Sequence, residues 1–151
     1  MTGTSTFLLI EKDPDERYLI ERSFDSLPMP VRLEKVDTVM KGVLYVEGRG
    51  EFADRRKHPL PNLIILDLDV TSLSGFDFLA WLRSYKRDNH RLLPIVVISS
   101  SSSGVDVTRA YELGVNAYLT KGRDFDSFKE QLKVLALFWA QYVQIPPLHE
   151  P

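Results

Sequence analysis

Cysteine is absent from all 151 residues, which excludes disulfides, thiolate metal sites and thiol catalysis and fits a reducing cytosol. No apolar run reaches membrane-spanning length, and no signal peptide is present. Neither sign of charge is in excess: 19 basic residues face 21 acidic ones, a net of −2. Nothing therefore marks a general binder of nucleic acid or of a membrane surface. The one basic cluster, Arg55-Arg56-Lys57-His58, falls in a loop and reads as solvated surface. No stretch of the chain repeats another. These absences predict a soluble cytoplasmic domain. The length suits one domain with a sizeable core, expected over residues 1–145, followed by a flexible, proline-rich tail over 146–151.

What is present begins with Leu63-Ile64-Ile65-Leu66-Asp67, an apolar run that ends on a carboxylate. Branched aliphatic residues in succession, after Pro59, Pro61 and Asn62, read as a strand buried on both faces, as in parallel sheets. Open parallel sheets gather their chemistry at the carboxyl ends of the strands. A buried strand has no structural need of an acid there. Similar strands are predicted at Phe7–Ile10, Val31–Val36, Ile95–Ile98 and Ala117–Thr120.

Helices are predicted between them. Asp13, Pro14 and Glu16 form a capping-box-like start for the first, and Thr38 caps the second. Gly75 opens the third, Gly114 closes the fourth, and Asp124 caps a last helix running to Tyr142. Gly48 to Asn62 reads as a polar loop of a length that is often functional. Strands alternating with helices predict a three-layer, doubly wound α/β fold with a parallel five-stranded sheet.

At one edge of that sheet, Glu11 ends the first strand, Asp67 and Asp69 the third, Ser99 the fourth and Lys121 the fifth. Singly, Ser99 reads as a loop starter and Lys121 as a solvated turn residue. Together, carboxylate, hydroxyl and ammonium around one acid are what phosphoryl transfer requires.

This pattern resembles the receiver domain of two-component response regulators over roughly Phe7 to Tyr142. The resemblance is carried by Glu11, by the Leu-Asp-Leu segment with Asp67, and by Gly75 eight residues on. Ser99 and the aromatic-x-x-lysine sequence Tyr118-Leu119-Thr120-Lys121 complete it. It implies a flavodoxin-like fold of strand order 2-1-3-4-5. It also implies Asp67 as phosphoacceptor, Lys121 as phosphate-binding cation, Ser99 as the hydroxyl that follows the phosphate and Tyr118 as the aromatic switch. Mg²⁺ would be held by Glu11, Asp67 and the backbone carbonyl of Asp69. The long loop before the third strand and the pair Phe138-Trp139 resemble stand-alone regulators of phytochrome-type histidine kinases. Such a regulator implies a sensor kinase as phosphodonor and output through a downstream or phosphotransfer protein. Self-association through the last helix is the further expectation, with Trp139 and Tyr142 as the residues its core face leaves over.

Three positions depart from the pattern. Receivers usually carry two consecutive acids after the first strand, where this chain has Glu11-Lys12. Two units of charge acting on a divalent ion at about 4 Å cost roughly 4 kcal/mol even with water-like screening. That is on the order of a thousandfold in affinity, if the ammonium points inward; a lysine also reaches solvent on its long stem. Lys12 thus either abolishes Mg²⁺ binding, replaces the cation, or points away from a weakened site. Thr71 stands where a proline is common, and Gly122 where a cis-proline usually follows the lysine. Gly122 leaves the aim of Lys121 less fixed, and Ser99 to Ser103 suggest a mobile switch loop.

Two rival functions fit the same residues. A pseudo-receiver would use the same fold as a binding module without phosphorylation. A phosphatase of the haloacid dehalogenase type would read Leu63 to Thr71 as hhhh-D-x-D-x-T, with Asp67 as nucleophile and Asp69 as general acid. Against the phosphatase, a complete βαβα segment precedes Asp67 and no later metal-binding acidic pair is evident. A flavodoxin is more distant, since no phosphate-binding loop follows the first strand.

Overall fold

The computed structural model describes residues 3–148, without the side chains of 70–73. Strands and helices alternate as β1 (Ser5–Ile10), α1 (Pro14–Asp25), β2 (Val31–Val36), α2 (Val39–Glu47), β3 (Leu63–Asp67), α3 (Leu68–Ser84), β4 (Ile95–Ser99), α4 (Gly104–Glu112), β5 (Ala117–Thr120) and α5 (Phe125–Leu137). Every strand pair is parallel, and the order is β2-β1-β3-β4-β5, the flavodoxin-like arrangement expected. Among the described residues no helix is long and apolar enough to cross a membrane.

The central strands are apolar at nearly every position because each face feeds a separate core. Leu8, Ile10, Ile64, Leu66, Ile95 and Val97 point to one side, under α2, α3 and α4. Phe7, Leu9, Leu63, Ile65, Val96 and Ile98 point to the other, under α1 and α5. The helix starts follow the sequence: Asp13 accepts from Asp15 N with Pro14 at the first helical position, Thr38 from Lys41 N, and Asp124 from Ser127 N. Gly48 and Gly114 end α2 and α4 at φ +67° and +95°, the left-handed region that glycine enters without strain.

An asparagine precedes each of two strands and bonds twice to the neighbouring one. Asn62 donates its backbone N–H to Thr6 O (2.7 Å) and accepts from Thr6 N on its side chain (2.7 Å). Asn116 does the same with Ile95, at 2.8 Å in both bonds.

Several regions differ from expectation. α3 begins at Leu68, seven residues before Gly75, because Asp67 itself caps the helix by accepting from Asp69 N at 2.8 Å. Thr71 falls among the undescribed side chains. The connection 48–62 is ordered around Arg55, which turns inward instead of lying solvated. Its guanidinium donates to Tyr45 O and Val46 O (2.7 Å each), main-chain carbonyls near the C-terminal end of α2, where the last carbonyls lack helical partners. The regular α-helix ends at Leu137, and Phe138–Tyr142 continue as a π-helical turn. The chain after Ile145 folds back onto the connection between α3 and β4: Asn89 donates to Leu148 O (3.1 Å) and Pro147 O (2.8 Å), and Leu148 packs on the core.

Candidate functional site

The carboxyl ends of β1, β3, β4 and β5 meet at one edge, as the register requires. Ile10 lies level with Leu66, Asp67 with Ile98, and Ser99 with Thr120. Glu11 N donates to Val36 O and Lys121 N to Ser99 O, so both residues just past their strands stay in line with the sheet. The result is an open cleft of about 660 Å³ whose lining includes Glu11, Glu16, Asp67, Asp69, Ser100 and Lys121.

Lys121 is the hub. Its Nζ donates to Asp67 Oδ2 at 2.7 Å and pairs with Asp69 Oδ2 and Glu16 Oε1, each at 2.9 Å. Burial works to lower its pKa, but the hydrogen bonds to Asp67, Asp69 and Glu16 outweigh it and hold the ammonium protonated well above the usual lysine range. Asp67 and Glu11 are both fully buried. Burial pushes the Glu11 carboxyl up to about 9, and the adjoining Asp67 carboxylate pushes the same way. Glu11 Oε2 accepts from Asp13 N at 3.3 Å, while Oε1 is buried with no hydrogen-bond partner among the described residues.

Asp69 occupies the first turn of α3, and its carboxylate reaches across to β4. Ser99 Oγ (3.0 Å) and Ser100 N (2.7 Å) donate to Oδ1, and Ser100 Oγ donates to Oδ2 (2.7 Å). Burial works to raise its pKa, yet the bonds from Ser100 and Lys121 prevail and hold it at about 2. The serine run is likewise tied down: Ser101 N donates to Ser99 Oγ (3.1 Å), Ser101 Oγ to Asp106 Oδ2 (2.7 Å), and Tyr118 OH to Ser101 O (2.8 Å).

The structure thus brings together Glu11, Asp67, Asp69, Ser99 and Lys121, with half-buried Tyr118 joined through Ser101. Lys12 is left outside: its side chain is exposed and, among the described residues, no ion pair of the site includes it, while Arg17 braces the loop by donating to Glu11 O (2.9 Å) and Lys12 O (3.2 Å). Gly122 packs so closely on α5 that a Cβ there would meet Ser127 Cβ at 2.6 Å and Phe128 N at 2.9 Å. Its N–H donates to Gln131 Oε1 at 2.8 Å. The aim of Lys121 is therefore set by close packing where the sequence suggested freedom.

Two site residues were not read from the sequence. Glu16 appeared only as a capping-box acid, and Ser100 only as part of a serine run. The usable signal for Glu16 was an acid in the first turn of α1, the helix that begins at this sheet edge. Carboxylate oxygens of Glu11, Glu16 and Asp67 lie within 4.8 Å of one another, a spacing that one ion can bridge. An all-oxygen donor set suits a hard divalent cation, and the orphaned Glu11 Oε1 is an acceptor such a cation would satisfy. The residues fit a divalent metal.

A family model described as the response regulator receiver domain matches residues 7–133. Response regulator Rcp1 of Synechocystis sp. is 27% identical over 139 residues, 92% of this chain and 91% of its own. Its Mn²⁺-bound crystal structure superposes with a TM-score of 0.81 at 26% identity, over 95% of this chain and 99% of that one. The crystal structure of response regulator RPA3017, in red light signaling of R. palustris, gives 0.86 at 29% identity over 95% of this chain and 99% of its own. The phosphorylated cyanobacterial phytochrome response regulator RcpA gives 0.85 at 26% identity over 96% and 100%.

Proposed function

This chain belongs to the response regulator receiver domain family, and from that premise we propose that it is a stand-alone regulator whose Asp67 accepts a phosphoryl group from a sensor histidine kinase of the phytochrome type. Receivers of this family are signalling domains, and some of the most similar solved structures are phytochrome response regulators. One observation carries the reading: a fully buried strand-end aspartate with an ammonium 2.7 Å from its oxygen and a buried serine at the end of the neighbouring strand.

In the transfer, a carboxylate oxygen of Asp67 bonds to phosphorus as the P–N bond to the donor histidine breaks. The imidazole keeps the electron pair and takes up a proton. Lys121, the Ser99 hydroxyl and the Ser100 N–H meet the charge on the remaining phosphoryl oxygens. Glu11 and Asp67 would hold a divalent cation, with Glu16 in reach, and it would supply positive charge against that transfer. Lys12 replaces the second acid usual in receivers, so the site is a weakened one; its outward side chain and the nearby Glu16 support weakening over loss.

The switch then runs through Ser99, the β4–α4 loop and Tyr118, a local charge event biasing a two-state element. Output passes to a downstream or phosphotransfer protein and to self-association through α5. Intact mass after incubation with phosphoramidate, with and without Mg²⁺, tests this. The native chain gains one phosphoryl group, Asp67→Asn gains none, and Lys12→Asp reacts at lower Mg²⁺. No gain in native protein or in Lys12→Asp would sink the reading.

A further inference from the structure

The donors around Asp69 are of a particular kind. A serine hydroxyl, a main-chain amide, a second hydroxyl and an ammonium, from the end of β4, the loop after it and the end of β5, all converge on one carboxylate. None of them is an acceptor toward it. Convergent donors of this sort form an anion site, and each bond to a charged oxygen is stronger than a neutral one. The same donors are the ones a phosphoryl group on Asp67 would call on.

We propose that the Asp69 carboxylate is a built-in stand-in for the phosphoryl group, competing with it for Ser99, Ser100 and Lys121. This rests on the reading of Asp67 as phosphoacceptor. Asp69 reaches the anion site because α3 starts directly after β3: Asp67 Oδ1 accepts from Asp69 N at 2.8 Å, which fixes Asp69 in the first turn with its side chain over the strand ends. From there a continuous chain of hydrogen bonds leads outward. Ser99 Oγ, which donates to Asp69, accepts from Ser101 N, and Ser101 O accepts from Tyr118 OH. Asp69 therefore holds the β4–α4 loop and Tyr118 in one arrangement, and it carries a single charge on two oxygens where a phosphoryl group carries nearly two on three. Phosphorylation has to turn Asp69 out of the site, and the first turn of α3 moves with it. Signalling by this chain is then a replacement of one anion by another, and the surface that changes most is the start of α3.

The test is a ¹H–¹⁵N NMR spectrum of the full chain as native protein, Asp69→Ala and Asp69→Asn, before and after phosphoramidate with Mg²⁺. Asp69→Ala is expected to move the Ser100 amide and the Tyr118 ring signals in untreated protein, and phosphoramidate to move the Ser100 amide back. Asp69→Asn, which keeps the shape and removes the charge, is expected to take up the phosphoryl group about threefold faster than native, as release of one ion pair on Lys121 allows. Unchanged Ser100 and Tyr118 signals in both untreated variants overturn the proposal, and so does an equal rate of uptake. If no variant is phosphorylated, the acceptor reading falls, while the untreated spectra still decide the role of Asp69.

Discussion

Glu11 and Asp69 are neighbouring carboxylates that burial and hydrogen bonding have driven in opposite directions. The Glu11 carboxyl titrates at about 9 in the fold against an ordinary 4.5. Between those values the folded chain keeps a proton that the unfolded chain has lost, so this contribution to stability is complete below about 4.5 and is lost as pH rises through about 9. Glu11→Gln keeps the shape without the titration. Urea unfolding in chelator should find it more stable than native by about 1–3 kcal/mol at alkaline pH, with no difference below pH 4.5, and unable to gain stability from Mg²⁺. Equal curves for the two proteins at alkaline pH would show that Glu11 is not strained by its burial beside Asp67. Asp69 runs the other way: held at about 2 against 3.8, it contributes above 3.8 and fails as pH falls through 2. Residue types at the strand ends were legible because each chemistry has a fixed place in a parallel sheet. Their conformations were not. Lys12 drew attention by its charge, yet charge alone does not give the direction of a flexible stem, and the side chain lies exposed to solvent.

At the scale of elements, local rules were enough wherever the determining group sits within a few residues. The caps at Asp13, Thr38 and Asp124 and the closing glycines are such cases. They failed where a distant contact decides. The start at Leu68 is a mixed case: Asp67 beside it is a capping residue type, but an acid at a strand end reads first as chemistry, and the pull of Ser99, Ser100 and Lys121 on Asp69 holds that first turn. Arg55 reads as one of a basic run until the C-terminal carbonyls of α2 are placed beside it. Gly122 is the element-scale prediction. A Cβ there meets the first turn of α5, so Gly122→Ala should cost about 1–3 kcal/mol as an overpacked contact. Gly122→Pro should cost more, having lost the N–H given to Gln131 as well. Chemical denaturation with an unchanged m-value checks both, and a neutral Gly122→Ala would mean that α5 yields freely.

For the whole molecule, α5 leaves an apolar strip uncovered. The strip is formed by Val134 of α5 and by Phe138 and Tyr142 of the turn that continues it, exposed by 58%, 52% and 76%; Trp139, expected among them, is half-buried against the core. Val134 and Phe138 border a groove of about 790 Å³ floored by Ala117, Leu119 and Leu135. Sedimentation equilibrium should show concentration-dependent dimers, weakened about tenfold or more by Phe138→Glu. Identical sedimentation of the two would take α5 out of the interface. A last consequence concerns errors in assembly. Strands oily on both faces gain nothing from one alignment over the next, since sliding by a residue merely exchanges one core for the other. Hydrophobicity alone therefore leaves this sheet free to misalign. Asn62 and Asn116 remove that freedom, each gripping a single residue of the adjacent strand by both its hydrogen-bonding groups. Two polar side chains at the rim act as the proofreaders of an interior that cannot proofread itself, and the alignment of Glu11 with Asp67, and of Ser99 with Lys121, at the far edge is inherited from them.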